Sequence, residues 1–154
     1  MIAPIVRELL LPISSAQAFE MLTHLKNWWP AEYTWSKEVL KTVGVEPKEG
    51  GFFYEESLHG FRLDWGTVIQ WKVNERLIFL WQIAPGSIPE PNPEKASTVQ
   101  VDFIAQNEGT LLRLEHRDFE RYGAKAEEFF AAMDSAYGWT YLLSCYEKKM
   151  REVI

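Results

Sequence analysis

From Val39 to His116 the chain repeats one pattern: short runs rich in β-branched and aromatic residues, each closed by turn formers. Successive side chains of an extended chain point to opposite faces, so these runs read as strands of an antiparallel sheet. Val39 to Val45 alternates and is ended by Pro47, and Gly50-Gly51 turns the chain into Phe52 to Ser57. Leu58-His59-Gly60 turns it again into Phe61 to Lys72, where Gly66 marks a bulge or a close backbone approach. Asn74-Glu75 leads to Leu77 through Ile83. Ala84 to Ala96 holds four prolines and reads as an exposed loop. Thr98 to Ala105 and Thr110 to His116 flank Gln106-Asn107-Glu108-Gly109 as a hairpin.

The flanks of this meander follow a different period. Val6 to Leu11 reads as a first strand ended by Pro12. Ser14 or Ser15 then suits an N-cap, since a serine oxygen accepts from an orphan N–H of the first turn. Ala18, Phe19, Leu22 and Leu25 recur at helical spacing, and Pro30 stops the helix. Ala31 to Lys37 is irregular and aromatic. At the other end, Phe129, Phe130, Met133, Tyr137, Tyr141, Leu142 and Tyr146 are spaced for one long amphipathic helix, which Gly138 weakens or bends. The order is strand, helix, six strands, long helix. Such a chain is α+β, an antiparallel sheet whose buried face is covered by a helix. No linker or repeat divides it, so residues 1–154 form one domain.

Composition sharpens the question of what lies between sheet and helix. Seven tryptophans and 14% aromatic residues exclude disorder and leave either a very aromatic core or an aromatic-walled cavity. A net charge of −6, with basic residues scattered among acidic ones, argues against nucleic acid and against anionic membrane surfaces. No run approaches the ~20 apolar residues that span a bilayer. The N-terminal run lacks a signal-peptide pattern and the single Cys145 suits a reducing compartment, so the expected localisation is cytoplasmic. Cys145 reads as a small apolar residue on a helix face.

Five stretches carry a likeness to a known family. They are Asn27-Trp28-Trp29-Pro30; Glu46-Pro47 with Gly50-Gly51-Phe52; Trp65-Gly66-Thr67-Val68 running through Arg76-Leu77 to Trp81; Gly109-Thr110 with Leu114-Glu115-His116; and Gly138-Trp139 with Leu142 and Leu143. In this order they resemble the SRPBCC superfamily (START and Bet v 1-like), and within it the activator of Hsp90 ATPase homologue-like family. The resemblance implies a helix-grip fold, a curved antiparallel sheet wrapped around a long C-terminal helix with a cavity between them. It implies a small soluble protein that holds a hydrophobic or aromatic molecule in that cavity. The family's name comes from a co-chaperone, so a chaperone-interacting, ATPase-modulating protein is the alternative. Related folds also include cyclase- and hydrolase-like enzymes, in which His116 would act as base.

Strand alternation then names the lining. Val99, Val101 and Phe103 share a face, as do Leu112, Leu114 and His116, with Gln100, Asp102, Arg113, Glu115 and Arg117 outside. Trp28 after the first helix, Tyr54, Trp65, Phe79, Trp81, Val101, Phe103, Leu114 and His116 on the sheet, and Phe130, Met133, Tyr137 and Tyr141 on the last helix are the cavity candidates. Which face of Phe61 to Lys72 points inward stays open. His116 has two readings: a neutral imidazole that bonds a ligand or abstracts a proton, or a core histidine bonded to a tyrosine hydroxyl or a carbonyl. No partner stands at nucleophile or metal spacing, which favours the core. Trp28-Trp29 is either the cavity mouth or a plug. Glu55 and Glu56 point to opposite faces, cannot cooperate as an acid–base pair, and read as a solvated strand edge. No phosphate loop, HExxH, CxxC or GxSxG occurs, so neither cofactor nor metal is expected. Trp35 is a candidate anchor for a homodimer.

Overall fold

The computed structural model describes residues 1–154. Strand β1 (Ile5–Leu11) leads into helix α1 (Ser15–Thr23). Ser14 is the N-cap: its hydroxyl accepts from the Gln17 N–H, and the Gln17 side chain accepts from the Ser14 N–H. This reciprocal box fixes where α1 starts. Short 3-10 turns at Leu25–Asn27, Ala31–Tyr33 and Lys37–Val39 carry the chain to β2 (Leu40–Val45). Strands β3 (Phe52–Ser57), β4 (Arg62–Lys72) and β5 (Arg76–Trp81) follow. Two-residue strands β6 (Ile83–Ala84) and β7 (Ile88–Pro89) precede β8 (Ser97–Gln106) and β9 (Gly109–Arg117). Helices α2 (Ala126–Asp134) and α3 (Trp139–Val153) close the chain.

The main sheet is antiparallel and seven-stranded, in the order β1-β9-β8-β5-β4-β3-β2. It curls around α1 and the C-terminal helical segment, an α+β helix-grip arrangement. The hairpin β8–β9 has the expected faces: Val99, Val101, Phe103, Leu112, Leu114 and His116 are all buried. Cys145 packs half-buried against the core. No helix is long and apolar enough to cross a membrane.

Two bulges in β4 settle its inward face. Phe53 pairs with Gly66 and Tyr54 with Asp64, so Trp65 is an extra residue on β4. Val68 pairs with Phe79 and Gln70 with Ile78, so Ile69 is a second. Each inserted residue shifts the alternation by one. Trp65, Val68 and Trp71 therefore all meet the core, although strict alternation would split them.

Two expectations need correction and a third is refined. Ala84 to Ala96 is not a featureless exposed loop: β6 and β7 pair as a small ribbon, and Ala96 is fully buried. The terminal helix does more than bend. Residues 135–138 leave helical geometry between α2 and α3, which resets the face that each segment presents. Glu55, finally, lies inside rather than on a solvated edge, because it shares a face with buried Phe53 and Ser57.

Candidate functional site

The space that alternation encloses between sheet and helix is filled. Trp28, Trp65, Phe79, Trp81, Val101, Phe103, Leu114 and His116 belong to one continuous core cluster or are buried against it. Phe130 is half-buried, edge-on to Phe119. Their size is the physical reason: bulky side chains from the curled sheet and from α3 pack against one another there.

His116 is a core residue with both ring nitrogens engaged. The Trp139 indole N–H donates to its Nδ1 at 2.8 Å, so the proton sits on Nε2, which donates to Ser97 Oγ at 2.6 Å. Ser97 Oγ lies 2.8 Å from the Tyr122 hydroxyl, which donates to the Trp81 carbonyl at 2.9 Å. The chain of bonds runs in one direction and satisfies every member. Burial pushes the imidazole pKa down to about 3 and the Tyr122 hydroxyl up. A general base needs a free lone pair facing a substrate, and His116 has neither. The role of base proposed for it by the cyclase- or hydrolase-like reading is therefore withdrawn.

The open space lies beside this core, at the mouth of the grip. It is a cleft of about 780 Å³ with 10 hydrophobic residues among its 17 lining positions. Three elements distant in sequence build it. Trp29, Tyr33 and Trp35 come from the irregular segment after α1; Trp81, Ile83 and Ser87 from β5 and the ribbon; Phe129 and Met133 from α2, Gly138 from the break after it and Leu142 from the first turn of α3. Of the sequence-predicted residues, Trp81, Met133 and Tyr137 line this cleft.

The others sit elsewhere. Tyr54 is on the outer face of β3 with Arg62 stacked 4.2 Å above its ring, because the phase that buries Glu55 turns Tyr54 out. Tyr137, although it lines the cleft, is not inside the grip as helical spacing would have it: it is 80% exposed, a rim residue in the non-helical stretch before α3. Tyr141 lies outside the cleft wall and bonds Glu32 at 2.5 Å. Trp28 is the plug, its N–H bonded to the Leu22 carbonyl at 3.0 Å, while Trp29 next to it faces the cleft. Trp35 is half-buried in the cleft wall rather than on an exposed patch.

Glu55, Glu32, Tyr33 and Trp35 are the residues that sequence reasoning missed. Glu55 accepts from the Trp35 N–H (3.1 Å), the Ser36 N–H (2.8 Å) and the Ser36 hydroxyl (2.6 Å). One buried carboxylate thus pins the 31–39 segment over the sheet. Trp35 ties that segment to the ribbon by donating to the Ser87 carbonyl at 2.7 Å. Tyr33 ties it to the helix break by donating to the Tyr137 carbonyl at 2.7 Å. The Tyr141 hydroxyl holds the Glu32 carboxyl below the usual carboxylate range, and Tyr141 itself is raised. The signal for Glu55 was available in its spacing of two from Phe53.

Glu55→Gln should loosen this wall. The amide keeps the shape but loses the charge and offers only one accepting oxygen to three donors. We expect a loss of about 1–3 kcal/mol, read as a lower urea midpoint, with faster amide exchange at Trp35 and Ser36. Unchanged exchange at those two amides would remove the pinning role.

The cleft's wall is continuous with a run of indoles. Trp29 and Trp65 lie 5.2 Å apart, Trp65 and Trp81 5.6 Å, and Trp81 and Trp139 5.3 Å, centre to centre. The Trp81 Nε1 is buried without a hydrogen-bond partner. No group of three or more His, Cys, Asp or Glu side chains comes together.

Comparison with known proteins places this geometry. The model of the family described as "Activator of Hsp90 ATPase homolog 1-like protein" matches residues 14–144. No curated protein matches the chain in sequence. Among solved structures, an anthrahydroquino-gamma-pyrone synthase is 25% identical with a TM-score of 0.66, covering 96% of this chain and 97% of that one. CalC, a self-sacrificing resistance protein from Micromonospora echinospora, is 21% identical with a TM-score of 0.66, over 98% and 96%. A protein from Mesorhizobium loti is 18% identical with a TM-score of 0.69, over 98% of each chain.

Proposed function

The chain belongs to the Activator of Hsp90 ATPase homolog 1-like family, and on that premise we propose that it is a binding protein for a small, flat, largely apolar aromatic molecule. The ligand sits in the cleft at the mouth of the grip, not in the filled space behind it. The observation that carries this reading is the cleft itself, about 780 Å³ walled by Trp29, Trp35, Trp81 and Phe129. Pockets for small molecules have this character, concave and apolar with a few placed polar groups. Burying about 250 Å² of apolar ligand surface contributes about 6 kcal/mol, a Kd on the order of tens of micromolar. The 25% identical neighbour, named for its synthesis of an anthrahydroquino-gamma-pyrone, supports an aromatic occupant.

Three tryptophans in the wall make the test direct. Titration with a tricyclic aromatic such as fluorene should quench intrinsic fluorescence saturably. Ala132→Trp is the blocking variant, because Ala132 is exposed and lines the cleft. It should abolish the quench and leave the melting temperature unchanged. Absence of saturable quenching in the wild type up to the probe's solubility would overturn the proposal, as would equal affinity in the blocked variant.

A further inference from the structure

Trp81 is 4% exposed, and its indole nitrogen is a buried side-chain donor with no partner. The other buried polar groups around it are satisfied. His116, 5.6 Å away between ring centres, spends both nitrogens on Trp139 and Ser97. Trp139 spends its N–H on His116, and Trp28 spends its own on the Leu22 carbonyl. Phe79, Trp29 and Trp65 complete the surround with ring faces and edges. The protein therefore offers this N–H no acceptor, and Trp81 is also a wall of the cleft.

A buried donor without a partner is costly, and such groups in a folded protein are few. The bonds around Trp81 also hold it in place. Tyr122 donates to the Trp81 carbonyl, and β5 pairs Trp81 with Gly66 on one side and Ser97 on the other. An indole fixed by its backbone on both edges, against a cleft, is a preorganised donor. Supplying its missing bond rewards a ligand more than a bond to a solvated donor would, because this N–H gives up no bond to water when the ligand's bond forms.

We infer that Trp81 Nε1 is the polar reading head of the cleft, and that the ligand is a fused aromatic bearing a carbonyl or phenolic oxygen. This rests on the cleft being a ligand site. The oxygen reaches the N–H through a small rearrangement of the cleft wall, because the atom is shielded from water in the free protein. A purely hydrocarbon ring system of the same size fills the same walls and leaves the donor unmet.

Fluorene and 9-fluorenone form a matched pair that differs by one carbonyl at nearly constant shape. Wild-type protein should bind the ketone about tenfold more tightly, a difference of about 1.4 kcal/mol. In 15N-labelled protein the Trp81 indole N–H resonance, identified by its absence from Trp81→Phe, should move downfield with fluorenone and not with fluorene. Trp81→Phe should bind both within about twofold of each other. Equal affinities in the wild type with an unmoved Trp81 resonance would overturn the inference and leave the cleft as a plain apolar site. A ketone preference that survives in Trp81→Phe would also overturn it, by assigning the donor elsewhere. If neither probe binds the wild type, the ligand-binding reading itself falls. Should Trp81→Phe fail to fold, sequential assignment of the wild-type indole resonance decides the matter without it.

Discussion

Between pH 6.5 and 5 the fold should lose about 1.5 kcal/mol of stability, and His116→Gln should remove that slope. The sign follows from where the proton goes. His116 is buried and neutral in the folded protein, with its pKa pushed down to about 3 by burial alone. In the unfolded chain it titrates near 6.5. Between those values the unfolded state binds a proton that the folded state refuses, so stability falls as pH falls. Above about pH 7 both states are neutral at this residue and the effect is absent. The window from 6.5 to 5 is diagnostic because it lies above the range of ordinary carboxylates, and Glu32 and Glu46 are held lower still by their hydrogen bonds. The other two histidines, His24 and His59, are exposed. Urea unfolding across this window, in wild type and His116→Gln, reads the slope directly. The variant should start less stable at pH 7.5, because the Trp139 N–H and Ser97 Oγ lose a well-placed partner. Parallel slopes for the two proteins would show that His116 is not the acid-sensitive group.

That behaviour also separates the two roles open to the histidine. A ligand-facing imidazole would titrate near its ordinary value and shift when the cleft is filled. An imidazole locked between Trp139 and Ser97 should titrate only as the molecule unfolds. Alternation placed His116 on the inner face of β9 without difficulty, since the hairpin carries no bulge and each residue faces opposite its neighbours. It could not say that an indole and a hydroxyl would close on both nitrogens from α3 and β8. Those partners are 23 and 19 residues away along the chain.

The same contrast runs through the rest of the molecule. Regular strands were legible because period two needs only local information. Strand β4 was not, because two inserted residues put Trp65, Val68 and Trp71 on one face. Nothing in their own stretch announces both bulges; Gly66 hints at one. The cleft was least legible of all. Much of its wall comes from the irregular segment after α1, from a ribbon inside a proline-rich stretch, and from a helix break, none of which has a period to read. Trp81, Met133 and Tyr137 were identified because each lies in or beside a regular element whose face could be assigned. Trp29 could be read as cavity mouth or plug, and Tyr33 and Trp35 were not identified as lining, since a run of short 3-10 turns and bends gives side chains no repeating direction.

Gly138→Ala should be among the most damaging single-methyl additions to this chain, costing about 3 kcal/mol and weakening the cleft together with the fold. A Cβ built on Gly138 would stand 2.0 Å from the Met133 carbonyl oxygen and 2.4 Å from its carbon. Both are backbone atoms, so no side-chain rotation relieves the clash, and helix α2 or α3 must move as a body. Movement there reaches the site at once: Met133, Gly138 and Leu142 line the cleft, and the Gly138 carbonyl accepts from the Leu142 N–H in the first turn of α3. It also reaches the core, because the next residue is Trp139, whose N–H orients His116. Gly60→Ala is the matched control. Gly60 has a positive φ of 86° but nothing within 4 Å of its would-be Cβ, so alanine there suffers backbone strain alone, about 1 kcal/mol. Urea midpoints should therefore fall about three times further for Gly138→Ala than for Gly60→Ala, and only the former should lose fluorene binding. Equal midpoints would mean that the break between α2 and α3 yields easily. The close approach at Gly138 would then not be what keeps Trp139 against the core and the cleft open.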